Sequence, residues 1–154
     1  MKKQARICDD TSLKTFGDVW ADRLGLGIGS GWSIAYRYVV ARNGEDVDEN
    51  GMQLLGHNDC DWETKTSVIT IFKRESNESG LDSVSGSEMF RVYDEETLIH
   101  ELLHCKFPIT YDKDNYESVL CASLQHQVLN DVARALFMTE YGLSARDYEI
   151  LTRK

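Results

Sequence analysis

The segment "ETLIHELLHCKFP", residues 96–108, sets His100 and His104 four positions apart, with Glu101 directly after the first. On a helix, residues four apart differ by about 40° around the axis, so both imidazoles leave one face. Two imidazoles placed this way can grip one ion of zinc size at bond lengths of roughly 2 Å. Glu101 then points to the side of the metal, within reach of a bound water but outside the coordination sphere. Zinc lowers the pKa of such a water toward about 7, and the carboxylate can take its proton and hand it to a leaving amine. Leu98, Ile99, Leu102, Leu103 and Cys105 are all uncharged, so this helix can be buried. Histidines on a buried helix need partners, and one metal supplies both. The competing reading is a surface helix with two solvated histidines.

Two histidines hold zinc poorly, so a third protein ligand is expected, with one position left open for water. His126 would complete a three-histidine set. The longer pattern HExxHxxGxxH is absent, because Phe107 and Thr110 stand where it needs glycine and histidine. Glu117 is the expected third ligand. It should open a second long helix on a face shared with Leu120, Cys121, Leu124, Val128 and Asp131, and a carboxylate heading an apolar stripe calls for a partner. His126 lies nine residues on, about 180° around that helix, and so should face away if Glu117 faces the metal. The alternative for Glu117 is a surface glutamate favoured by the helix dipole. Asp112 and Asp114 are weaker rivals, and Cys121 either lines the site or is an inert thiol. Tyr111 or Tyr116 could donate to a developing oxyanion, or simply pack. His57 and Cys60, in "GHNDCDW", either touch substrate or metal or lie in a solvated loop.

These side chains need a scaffold. Residues 11–24 show helical spacing at Leu13, Phe16, Val19, Trp20 and Leu24, with Thr11 or Ser12 as the cap, although Gly17 weakens the pattern. "GLGIGSGW" alternates glycine strictly and follows no strand, so it reads as a loop and not as a dinucleotide fingerprint. "WSIAYRYVVA" (32–41) and "WETKTSVITIF" (62–72) read as strands. "DVDENG" (46–51) opens like a calcium loop but has His57 where the bidentate glutamate belongs, so a solvated turn is expected. Residues 73–88 read as a polar connector. A helix at 94–106 is expected next, capped by Tyr93 or Asp94, with Glu95 and Glu96 in its first turn and Pro108 as its stop. The second long helix should cover about 115–139, with Leu120, Leu124, Val128, Ala135 and Leu136 on its apolar side. Gly142 and Ser144 then separate it from a short final helix.

Composition narrows the classes. The 154 residues fit one domain, 1–154, and 42% apolar content allows a packed interior. A formal net charge of −9 argues against nucleic acid as the main ligand. No apolar run approaches 20 residues, and the basic start "MKKQARICDD" is not followed by an apolar core, so neither a membrane span nor a signal peptide is expected. A cytoplasmic protein with reduced thiols is the resulting expectation. The four cysteines, Cys8, Cys60, Cys105 and Cys121, form no CxxC pair and no disulfide framework.

On "TLIHELLH" (97–104), on Glu117 leading a long helix and on the strand "SVITIF" before them, the chain resembles a zincin, specifically a minimal gluzincin. It is similar to small metallopeptidase-like proteins, many encoded by phages and mobile elements. The resemblance implies an α+β zincin-like domain, a short twisted sheet packed on the HExxH helix and a second long helix. It implies Zn2+ held by His100, His104 and Glu117, with Glu101 as general base and then general acid. It also implies that "TKTSVITIF" or a neighbouring strand pairs with an extended peptide or protein substrate. The alternative is a non-catalytic protein-binding module on the same scaffold, with structural zinc or none. A third possibility keeps the metal site but hydrolyses a non-peptide bond.

Overall fold

The computed structural model describes residues 7–40, 54–73, 84–110 and 112–152. In chain order these form α1 (Asp10–Arg23), β1 (Ser33–Val40), β2 (Gly56–Asp61), β3 (Thr66–Lys73), α2 (Val84–His104), α3 (Tyr116–Tyr141) and α4 (Ala145–Thr152). The class is α+β: four helices and a mixed three-stranded sheet in the order β1-β3-β2. None of the described helices is long and apolar enough to cross a membrane. "DVDENG" at 46–51, Tyr111 and most of the 73–88 connector lie outside the described residues.

β3 is the central strand. It runs parallel to β1, with Ser33 opposite Thr66, and antiparallel to β2, with Gly56 opposite Ile71. Its β-branched residues suit that place: Ile69 and Ile71 are fully buried. Both of its backbone edges are therefore occupied, so the open edge belongs to its neighbours. "GHNDCD", which reads as a polar loop, is the strand β2. Asn and Asp are poor strand formers, but β2 needs only one ladder and exposes every second residue.

α1 begins one residue earlier than its spacing suggests. Asp9 is the cap, accepting from the Ser12 amide at 2.7 Å, and Ser12 returns a bond to the Asp9 amide at 3.1 Å. Gly17 in its middle has a packing reason, since a Cβ there would lie 2.3 Å from the Tyr36 ring of β1.

α2 is the hub, touching α1, α3, α4, β2 and β3. It starts at Val84, ten residues before the expected 94. Asp94, Glu95 and Glu96 are consequently mid-helix residues rather than a cap and a first turn. Their carboxylates tie the helix to its surroundings instead. Tyr38 Oη donates to Asp94 at 2.8 Å, while buried Glu95 accepts from Trp20 Nε1 at 2.9 Å and Tyr141 Oη at 2.7 Å. Lys106 finds its place just past the helix, donating to the Leu24 carbonyl at the end of α1 at 2.6 Å.

α3 ends on Gly142 in the left-handed region (φ 61°), as a glycine stop requires. Its buried side, however, is not the expected one. Ala122, Leu129, Ala133 and Phe137 are buried, whereas Leu120, Leu124 and Val128 are exposed. The helix is turned about half a revolution from the orientation its larger side chains imply.

Candidate metal centre

The rotation of α3 decides which side chains meet. His126 lies on the buried stripe between Ala122 and Leu129, one turn from each, and so points at α2. There it joins His100 and His104. One ligating atom from each of the three lies within 4.8 Å of the others. His100 Nε2 and His104 Nε2 are 3.1 Å apart, close to the roughly 3.3 Å between two nitrogens on one tetrahedral zinc at 2.0–2.1 Å. The third imidazole stands farther off and would have to draw inward to close the same sphere. His126 Nδ1 is 3.3 Å from the Ala122 carbonyl, which favours the proton on Nδ1 and leaves Nε2 as a lone pair.

Burial and neighbouring imidazoles keep His100 and His104 neutral. Burial first, then the neighbouring His104 and His126, pulls His100 down to about 4; burial and His126 do the same to His104. Neutral imidazoles are metal ligands, and no proton competes for the lone pairs near pH 7. His100 Nδ1 is buried and makes no hydrogen bond among the described residues. A buried, unmatched nitrogen costs about 1–3 kcal/mol, and it lies on the opposite side of the ring from the Nε2 that faces His104. The donor set and its spacing could thus hold a metal ion.

Glu101 projects from the same helix into tight surroundings. Burial alone pushes its carboxyl up to about 8. The start of β2 passes so close that a Cβ on Gly56 would lie 2.9 Å from Glu101 Oε1 and 2.6 Å from Thr97 Cγ2, so glycine is required there. Asn58 fixes the two elements together. At the end of α2, the Cys105 amide bonds to Leu102 rather than to the Glu101 carbonyl, which would otherwise be left bare. Asn58 Nδ2 donates to that carbonyl at 2.6 Å, and Asn58 Oδ1 accepts from Ser67 Oγ at 2.7 Å. His100 and Glu101 both line a cleft of about 360 Å³, which β2 borders through Leu55 and Gly56, and α3 and α4 through Asn130, Arg134 and Tyr148.

Of the residues singled out from the sequence, His100 and His104 come together, and Glu101 lines one cleft with His100. Glu117 does not join them. It sits in the first turn of α3, its amide bonded to the Asn115 cap at 3.0 Å and its carboxylate in solvent. The physical reason is the half-turn between positions 117 and 126: with His126 facing α2, Glu117 must face away. His126 takes the place assigned to Glu117. Asp112, Asp114 and Tyr116 are likewise exposed, and Cys121 faces outward. His57 is on the exposed side of β2 with Asp59 at 3.0 Å, and Cys60 packs toward Cys105 with 3.9 Å between sulfurs. The residues missed, Gly56, Asn58, Arg134 and Tyr148, carry no motif. The signal for His126 was present, because 122, 126, 129, 133 and 137 repeat every three or four residues.

No protein-family model, curated protein or solved structure matches the chain.

Proposed function

We propose that the chain is a zinc-dependent hydrolase that cleaves peptide bonds, with His100, His104 and His126 as metal ligands and Glu101 as the proton-carrying base. The observation that carries this reading is the convergence of three imidazoles from two helices, one of which, His100, shares a cleft with the buried Glu101. Bound zinc supplies polarisation of the scissile carbonyl and acidification of the attacking water. Three protein ligands leave a fourth position for that chemistry, whereas a purely structural site is closed by four.

The remaining work falls to the chain's own residues. Glu101 is held by packing against Gly56 and Thr97, so its carboxyl is oriented before substrate arrives. Its raised proton affinity suits a group that accepts a proton and later returns it, and a nearby cation draws that affinity back toward neutrality. β2 has one unpaired edge among the described residues and borders the cleft, so it is the strand that an extended substrate would join.

Metal analysis of the purified protein and of Glu101→Gln tests the reading. About one zinc per chain is expected in both, with peptide hydrolysis reduced at least a hundredfold in the variant. Equal cleavage by the two proteins, or wild-type protein that does not retain zinc, contradicts it.

A further inference from the structure

The cleft beside His100 contains a cation in an otherwise acidic chain. Arg134 reaches it from α3, and its guanidinium lies over the Tyr148 ring of α4, 5.2 Å from the centroid. Stacking of this kind fixes the plane of the fork while leaving its N–H edges available. The contacts that Arg134 makes with carboxylates are long. Nε stands 3.5 Å from Glu96 Oε1 and Nη1 stands 3.8 Å from Asp131 Oδ1. The other oxygen of Glu96 is satisfied by the Tyr148 hydroxyl. Arg134 also bonds the Tyr148 side chain, but a guanidinium has five donors, so part of its capacity is unspent, and its side chain is 45% exposed.

We propose that Arg134, stacked on Tyr148, is an anion subsite that binds a free carboxylate of the substrate a few bonds from the scissile carbonyl. This rests on the hydrolase reading above and names its substrate class: a peptide with a carboxylate just beyond the cleaved bond, either the chain terminus or an acidic side chain. Asn130 and Thr97 line the same cleft and offer further polar contacts, whereas Leu55 and Gly56 close it on the β2 side. The fork of Arg134 can donate two parallel hydrogen bonds to one carboxylate, which a lysine at this position could not. Its role is to place and select the substrate.

Calorimetry on zinc-loaded protein with monohydroxamates of dicarboxylic acids tests this, each compared with its neutral terminal amide. The hydroxamate reports the metal, and the far carboxylate reports Arg134. In the succinic compound, three bonds separate the carbonyl carbon from the carboxylate carbon, as for a C-terminal residue; the glutaric and adipic compounds match aspartate and glutamate side chains. Wild type should bind one acid about tenfold more tightly than its amide, and the preferred length identifies the source of the carboxylate. Arg134→Gln should bind acid and amide equally, with the affinity for the amide unchanged within about twofold, which also reports an intact fold. Arg134→Lys should retain only part of the preference. Wild-type protein that binds acid and amide alike overturns the subsite while leaving the metal centre standing, and so does a preference that survives Arg134→Gln. Zinc-loaded protein that binds no hydroxamate at all overturns the metal centre, and the subsite with it.

Discussion

One face of α3 carries Ala122, His126, Leu129, Ala133 and Phe137; the opposite face carries Glu117, Leu120, Leu124 and Val128. The second is richer in large apolar side chains, yet the first is the one packed on α2. Helices approach closely where small residues let their backbones come near, at axial distances of about 8–10 Å, and Ala122 and Ala133 provide that here. The large residues on the other side are left between about half and two-fifths covered by their own neighbours. Which face goes inward is therefore decided by fit to α2 and not by the sum of hydrophobicities, and that choice decides whether His126 or Glu117 joins His100 and His104.

Substitutions on the two faces should differ in size accordingly. Phe137→Ala on the inner face should cost about 3–5 kcal/mol in chemical denaturation, because Phe137 is 2% exposed and the space cannot fully collapse. Leu124→Ala on the outer face should change stability by about 0.5 kcal/mol or less. Comparable losses at both positions would mean that the helix is turned the other way. Ala133→Leu should cost roughly 1–3 kcal/mol by overpacking the seam with α2, and it should weaken zinc binding by displacing His126 as well. A variant that is neutral in both respects would break the argument from small residues.

The same burial gives the metal-free protein a pH signature. His100 and His104 have folded pKa values of about 4 against 6.5 for an ordinary histidine, so the unfolded chain takes up protons first and stability falls as pH drops from 6.5 toward 4. Glu101 acts on the other limb. Its folded value of about 8 exceeds the ordinary 4.5, so the stability it contributes is complete below pH 4.5 and is lost as pH rises through 8. Thermal melts of the metal-free protein should peak between these limits, and Glu101→Gln should flatten the alkaline limb only. Another small effect belongs to the outer face: Glu117→Ala should cost about 0.3–1 kcal/mol through the lost dipole interaction. A larger loss in melts, or a loss that depends on added zinc, would reopen its role as a ligand.

The helical HExxH segment was legible in the sequence because its residue types and spacing are local. α1, β1, β3, α3 and α4 were legible for the same reason, each within a few residues. What was hidden depends on tertiary contact. β2 pairs through a sequence of Gly, His, Asn and Asp that has no strand propensity, and its value lies in Asn58 reaching the Glu101 carbonyl. α2 also starts ten residues earlier than its capping signals at Tyr93 and Asp94 imply. The exchange of Glu117 for His126 came from weighing large apolar residues above the Ala-His-Leu-Ala-Phe repeat, when the same 180° argument, applied from His126, gives the observed arrangement.

X-ray absorption at the zinc edge, recorded on zinc-loaded wild type, His126→Ala and Glu117→Ala, tests the central claim most directly. Three imidazoles are expected in wild type, with the same spectrum for Glu117→Ala and one imidazole fewer, or no bound zinc, for His126→Ala. A spectrum that loses a carboxylate in Glu117→Ala and is unchanged in His126→Ala would contradict the account.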